Sequence, residues 1–216
     1  MAEIHDDAAA EKAAHQAELR TLDRPTIRAG ASTPWGMAQV SRRYADGIVL
    51  HSTASHGGFH LDESANPAVH ALFRNEGGFY EEDCEWAKVA HTFPKLFTAY
   101  EWRLADRTLR DCYPDAYERV MGMTLDGSQS HTRDRQEFET RHRKDWVVIA
   151  ALNSGHQPGF VECIATLGGN RGETGERRFL VPGSDYTIGR HGFVIDPLKH
   201  QPYDGPSSFV TWAAPP

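Results

Sequence analysis

Residues 146–181 hold three apolar runs, Trp146–Leu152 (WVVIAAL), Phe160–Leu167 (FVECIATL) and Arg177–Val181 (RRFLV). Each is short and rich in β-branched or aromatic residues, which is the pattern of a buried strand. Phe193-Val194-Ile195 adds a fourth, shorter strand, and Gly168-Gly169-Asn170-Arg171-Gly172 makes a flexible hairpin connection. Upstream the period is helical. In Phe79–Phe93 (FYEEDCEWAKVAHTF), Phe79, Trp86, Val89, Ala90 and Phe93 share one face at roughly 100° per residue, which predicts a helix. Pro94 can open a second helix running to Asp111, and Pro114 a third through Met121, stopped by Gly122. Arg133–Lys144 reads as a polar helix or ordered loop.

Two strands precede the helices, Met37–Arg43 and Gly47–Thr53, joined by a turn at Tyr44-Ala45-Asp46-Gly47, where Asp-Gly supplies positive φ. A loop, Ala54–Gly58, follows them, and Gly77-Gly78 marks a second flexible point. Strands before and after a block of helices argue for α+β: a mainly antiparallel sheet with a central block of helices packed on it. The Ala-rich residues 6–22 are strong helix formers with only a thin apolar stripe. They predict an N-terminal helical arm, loosely attached or used for self-association. The expected division is 1–32 helical arm and linker, 33–205 single α+β domain, and 206–216 C-terminal tail. Trp35, Trp86, Phe93, Ile149 and Val161 are the expected core.

Composition narrows the function classes. The 216 residues are 39% hydrophobic and 10% aromatic, too apolar for a disordered chain. No run approaches the roughly 18 apolar residues of a membrane helix, and the acidic N-terminus has no apolar core for a secretion signal. The formal charge of −7 argues against nucleic acid as a partner. Arg133, Arg135, Arg141, Arg143 and Lys144 are interleaved with acids and read as a solvated face. The three cysteines, Cys84, Cys112 and Cys163, form no CxxC pair and fit reduced thiols in a cytoplasmic protein.

Twelve histidines stand out. His51 and His56 bracket a strand-to-loop run, His51-Ser52-Thr53-Ala54-Ser55-His56-Gly57-Gly58, of the kind that binds anions or substrate carbonyls. On the predicted helix, Glu82 falls within the apolar face and Asp83 at its edge, while Glu81 points to water. A partly desolvated carboxylate suits a general acid, general base or hard metal ligand. His51, Ser55, His56, Glu82 and Asp83 are thus candidate catalytic residues. His51, His56, Glu82 and Asp83 are candidate ligands for a divalent metal. Gly57, Gly58, Arg190 and His191 are candidate binding residues, with Arg190 able to present its guanidinium to a carboxylate or phosphate. Plainer readings stand beside these: an acidic helical start favoured by the helix dipole, a tight turn that needs two glycines, a satisfied sheet histidine at His51, and a β-turn with an exposed Arg190.

Thr33-Pro34-Trp35-Gly36, the His51–Gly58 run, Tyr80–Ala87, Phe179–Pro182 and Gly192–Asp196 together resemble a bacterial domain family of unknown function. Its members are often encoded on plasmids and other mobile elements. The resemblance spans about residues 33–200 and implies no catalytic residues. Leu50-His51-Ser52-Thr53 is similar to the His-Gly-Thr strand of ADP-ribosyltransferases, with Ser52 in place of Gly. The candidates for that family's Tyr and Glu, Tyr100-Glu101 and Tyr117-Glu118, fall on predicted helices. Two main functions fit these observations. One is an accessory protein that binds a protein partner. The other is a hydrolase or transferase with a His/carboxylate site around a divalent metal.

Overall fold

In a computed structural model of the chain, residues 2–172 and 175–209 are described. The chain is α+β with antiparallel sheets, and it divides into two compact units, residues 1–133 and 134–216. Residues 210–216 of the expected tail lie outside the described residues.

The first unit opens with α1 (Ala2–Leu19). Its sheet has the order β1-β4-β5-β6-β7, with β1 Thr26–Ile27, β4 Val40–Ala45, β5 Ile48–Ser52, β6 Gly57–Leu61 and β7 Phe79–Glu81. A two-stranded ribbon, β2 (Ser32–Thr33) and β3 (Gly36–Met37), is set between β1 and β4 in the chain. Asp46-Gly47 turns β4 into β5 with Gly47 at φ 75°, as the dipeptide predicts. The unit's other helices are α2 (Trp86–Thr92), α3 (Ala99–Cys112) and α4 (Pro114–Met121), and α5 (His131–Arg141) runs across residue 133 into the second unit. Pro114 opens α4, and Gly122 ends it in the left-handed conformation at φ 64°. The core joins Phe59, Leu61 and Tyr80 from the sheet to Val89, Ala90, Ala105 and Leu109 from the helices.

Three expectations change. Phe79–Phe93 is not one helix: Phe79–Glu81 is an edge strand, and α2 starts only at Trp86. Tyr80 decides this, because as a strand residue it buries its side chain completely while Phe79 stacks on His60. Pro94 opens one turn of 3-10 helix, and α3 begins after Thr98. Its start is a reciprocal cap: Glu101 N–H donates to Thr98 Oγ1 at 3.1 Å, and Thr98 N–H donates to Glu101 Oε2 at 2.8 Å. Of the expected core, Val161 is buried, while Trp35, Trp86, Phe93 and Ile149 are half-buried.

The predicted arm and linker make specific contacts. His15 Nδ1 lies 2.8 Å from Thr98 Oγ1, and Glu18 accepts from Ala99 N–H at 2.6 Å. Arg24 grips Glu101 with both terminal nitrogens, at 2.9 and 2.6 Å, and donates to Leu96 O at 2.7 Å. Its guanidinium lies 4.2 Å from the Tyr44 ring centroid. Burial acts to raise the Glu101 carboxyl, but Arg24 and the Thr98 N–H hold it below the usual range.

The second unit is a four-stranded sheet of order β11-β10-β9-β8, with β8 Trp146–Asn153, β9 Phe160–Leu167, β10 Arg177–Pro182 and β11 Gln201–Pro202. The first three are the strands read from the sequence. Phe193–Ile195 makes only an isolated bridge, Val194 to Val147. Inside β9, Glu162 is fully buried and accepts from Arg178 at 3.0 Å, Ser207 Oγ at 2.8 Å and Ser208 N–H at 2.9 Å. Among the described residues no helix is long and apolar enough to cross a membrane.

The Arg24 clamp is bidentate and shielded, so Arg24→Ala should lower stability by about 1.5–3 kcal/mol, the range for hydrogen bonds to charged groups. Arg43→Ala removes an exposed pair with Asp46 at 3.9 Å and should change it by less than about 0.5 kcal/mol. Urea melts of the two variants side by side measure the difference.

Candidate functional site

The turn between β5 and β6 is a closed four-residue loop, Thr53–His56. Thr53 N–H and Thr53 Oγ1 both donate to His56 O, at 2.7 and 2.8 Å, and His56 N–H donates back to Thr53 Oγ1 at 3.2 Å. This fixes the His56 backbone while its side chain stays exposed. On the other side of β6, Gly58 pairs with Glu81 and Glu82 N–H donates to Gly57 O at 3.0 Å. The loop after β5 and the end of β7 are therefore neighbours by register.

Both glycines are required by space. A Cβ on Gly58 would lie 2.2 Å from Tyr80 O and 2.4 Å from the Trp35 ring. A Cβ on Gly57 would lie 2.7 Å from Glu82 Oε2 and 2.8 Å from His51 O. The Glu82 carboxylate thus passes over the bare backbone of Gly57. The sequence predicts a loop at these glycines, and they instead open strand β6.

Ligand atoms of His56, Glu81 and Glu82 all lie within 4.8 Å of one another. His56 and Glu82, both candidate ligands, lie together here. Glu81 is a member that the sequence reading placed towards solvent. The helical wheel misassigned it: with 79–81 a strand, Glu81 is half-buried and Glu82 is exposed. The available signal was the pair of strand-favouring aromatics Phe79-Tyr80 just after Gly77-Gly78. One Glu81 oxygen accepts the Asp83 N–H at 2.8 Å.

The other candidates lie apart from this group. His51 is buried in β5, with Nδ1 2.8 Å from Ser41 Oγ and its ring 6.3 Å from that of His60. Burial, and after it the His60 charge, push its pKa below the ordinary histidine value. It is a satisfied sheet histidine. Asp83 is exposed and outside the group, and Ser55 is exposed in the turn. Arg190 and His191 belong to the second unit. There Arg190 Nη1 and His191 Nε2 both contact Asp134 Oδ2, at 2.9 and 2.8 Å. That makes an ion-paired turn between Gly189 and Gly192. For the ADP-ribosyltransferase comparison, Glu101 and Glu118 are helical residues held by Arg24 and Arg133, and Tyr117 donates to Asp106.

An open cleft of about 560 Å³ lies elsewhere in the first unit, between the β4–β5 turn and residues 92–96. Its wall is largely apolar, with Ile48, Phe93 and Leu96, and it shares no residue with the His56 group.

Residues 28–143 match a family described as a domain of unknown function, DUF7007. The chain belongs to this family. The match takes in His56, Glu81 and Glu82 and ends at residue 143, so Phe179–Pro182 and Gly192–Asp196, which the sequence resemblance included, lie beyond it. No curated protein and no solved structure matches the chain.

Two outcomes follow from the strand geometry. Gly58→Ala should cost about 1–3 kcal/mol, the range for overpacking a filled site, and urea denaturation checks it. His51 should titrate below about 6.5, the ordinary histidine value, by NMR. Because its folded pKa is depressed, the unfolded chain takes up this proton first. The His51 contribution to stability is therefore whole above the unfolded value and is lost as pH falls from there through the folded pKa.

Proposed function

We propose that this is a non-catalytic accessory protein of the cytoplasm, in the bacterial mobile-element setting that the sequence resemblance implies, and that its N-terminal unit binds a divalent cation through His56, Glu81 and Glu82. The observation that carries the reading is the convergence of one imidazole and two carboxylates within 4.8 Å. Lys88, on the helix that follows, is committed to Glu85 at 2.9 Å and Asn75 at 3.2 Å rather than to Glu81 or Glu82. Among the described residues no Lys or Arg ion pair neutralises those two carboxylates. An imidazole with carboxylates suits Zn, Mn or Fe in the divalent state. Three protein ligands leave an outer position that an acidic group of a protein partner can fill.

The same outer position favours a second reading, a metal-dependent hydrolase or transferase. There it would hold a water whose pKa the ion lowers.

Isothermal titration with Zn²⁺ and with Mn²⁺ tests the site. One ion per chain is expected. Loss of an outer-shell partner typically costs about 10–100-fold in metal affinity, so His56→Ala and Glu82→Gln should each cost at least that. Equal binding by wild type and both variants, with folding confirmed by circular dichroism, would remove the site. Assay of the metal-loaded protein on a phosphodiester and on a carboxylic ester separates the readings: turnover abolished by Glu82→Gln favours the enzyme, and binding without turnover favours the accessory protein.

A further inference from the structure

The basic residues in and after α5 read from the sequence as a solvated face, and the fold divides them. Arg135 is paired with Glu139 at 2.8 Å. Arg141, Arg143 and Lys144 are exposed, and among the described residues no ion pair holds them. The sheet of the second unit brings two more cations to the same place. Trp146 opens β8 opposite Leu167, the last residue of β9, and Gly168 N–H donates to Asp145 O at 2.9 Å. The chain leaving β9 therefore starts beside residues 143–145, and a Cβ on Gly168 would lie 3.3 Å from Arg143 O. Arg171 follows and donates from Nη2 to Ile149 O at 2.6 Å. The Arg177 guanidinium carbon stands 5.5 Å from the Trp146 ring centroid. Arg171 and Arg177 are both exposed, and no ion pair among the described residues holds either. Cations from three stretches of sequence thus gather round the start of β8.

The acids of the same stretches are largely spent elsewhere. Glu139 is on Arg135, Asp145 faces His142 Nδ1 at 2.8 Å, and Glu137 has a partner as well, which leaves Glu176 beside Arg177. Between the last turns of α5 and Gly168 lies an open cleft of about 280 Å³, lined by Gln136, Glu139, Thr140, Arg143 and Asn170. It sets one guanidinium beside amide and hydroxyl groups, which are the donors that hold a carboxylate.

We propose that this basic patch on the second unit docks an acidic segment of a protein partner, with one carboxylate seated at Arg143 in the cleft and others met by Arg141, Lys144, Arg171 and Arg177. A peptide is favoured over a nucleic acid by the charge of the whole chain. A formal −7 repels a long phosphate backbone wherever it runs beyond the patch, whereas a short acidic segment meets mainly the local cations. The proposal rests on the accessory reading for there being a protein partner, and it uses none of the metal-binding residues.

The test is fluorescence anisotropy of a labelled oligoglutamate peptide with the full-length chain at low salt. A Gly-Ser peptide and an oligothymidylate of equal length serve as comparators. EDTA is present throughout, so the result is blind to whether the His56 group binds metal. The oligoglutamate should bind, and less tightly as salt rises, while the Gly-Ser peptide should not. Arg143→Glu combined with Lys144→Glu should weaken binding at least about tenfold, because each reversal removes an attraction and adds a repulsion. Lys95→Glu combined with Arg107→Glu changes the net charge equally at exposed positions of the first unit and should cost less than about threefold. Circular dichroism confirms folding, and Arg141→Glu, at the exposed end of α5, repeats the comparison should the first pair not fold. Absence of oligoglutamate binding by wild type, an equal loss in the patch and control variants, or tighter binding of the oligothymidylate than of the oligoglutamate overturns the proposal.

Discussion

The first unit depends on how closely β6 approaches β7 at Gly58. A side chain there would occupy the place of the Tyr80 carbonyl on one side and the Trp35 indole on the other. The absence of a Cβ allows the strand to pair, and pairing buries Tyr80 beneath the helices. It also sets the level at which β7 ends, and hence where Glu81 and Glu82 emerge. Trp35 meets Phe79 edge-on at 5.9 Å, so the residue that closes over Gly58 also braces the outermost strand. The candidate site is a consequence of this contact: His56 arrives from one end of β6, and the two carboxylates from the strand laid against it.

The legible parts of the sequence were those in which one signal acts alone. β8 and β9 are apolar runs bounded by turns, and α4 is bracketed by Pro114 and Gly122; each forms almost where the pattern put it. The segment 79–93 carries two signals at once. Phe79, Trp86, Val89, Ala90 and Phe93 repeat like a helix, but Phe79-Tyr80 after two glycines also suits the start of a strand. Tertiary pairing with β6 supplies the hydrogen bonds that settle the matter, and no local pattern contains them. The candidate site was therefore half legible. His56 and Glu82 meet, though for a reason other than the helical face, and Glu81 was assigned to the wrong side. His51 and Asp83 shared the chemistry of ligands but not the position.

Polar residues were the least legible, because their partners are far away in sequence. Arg24 sits in what reads as a linker, yet it clamps Glu101 and lies on the Tyr44 ring. Glu162 interrupts an apolar strand, where an unpaired carboxylate would be costly. The fold resolves it with Arg178 and with two serines that follow β11. That network attaches the segment 201–209 to its sheet through one buried charge. Removing either charged partner would strand the other in a dry environment.

The same comparison separates the acids around α2. Glu85 has Lys88 and the Glu81 N–H as partners, and these hold its carboxyl below the usual range although burial acts to raise it. It is a structural acid whose donors satisfy it. Glu81 and Glu82 lie four and three positions earlier, with one backbone donor between their side chains in the described hydrogen bonds. Lys88 can reach any of these acids only by leaving Glu85 and Asn75, and its place on Tyr113 opposes that move. The helix start thus places its cation on Glu85 and leaves Glu81 and Glu82, beside His56, without one. On the proposed reading, an external cation held with His56 would supply the positive charge that no Lys or Arg ion pair among the described residues gives these two carboxylates.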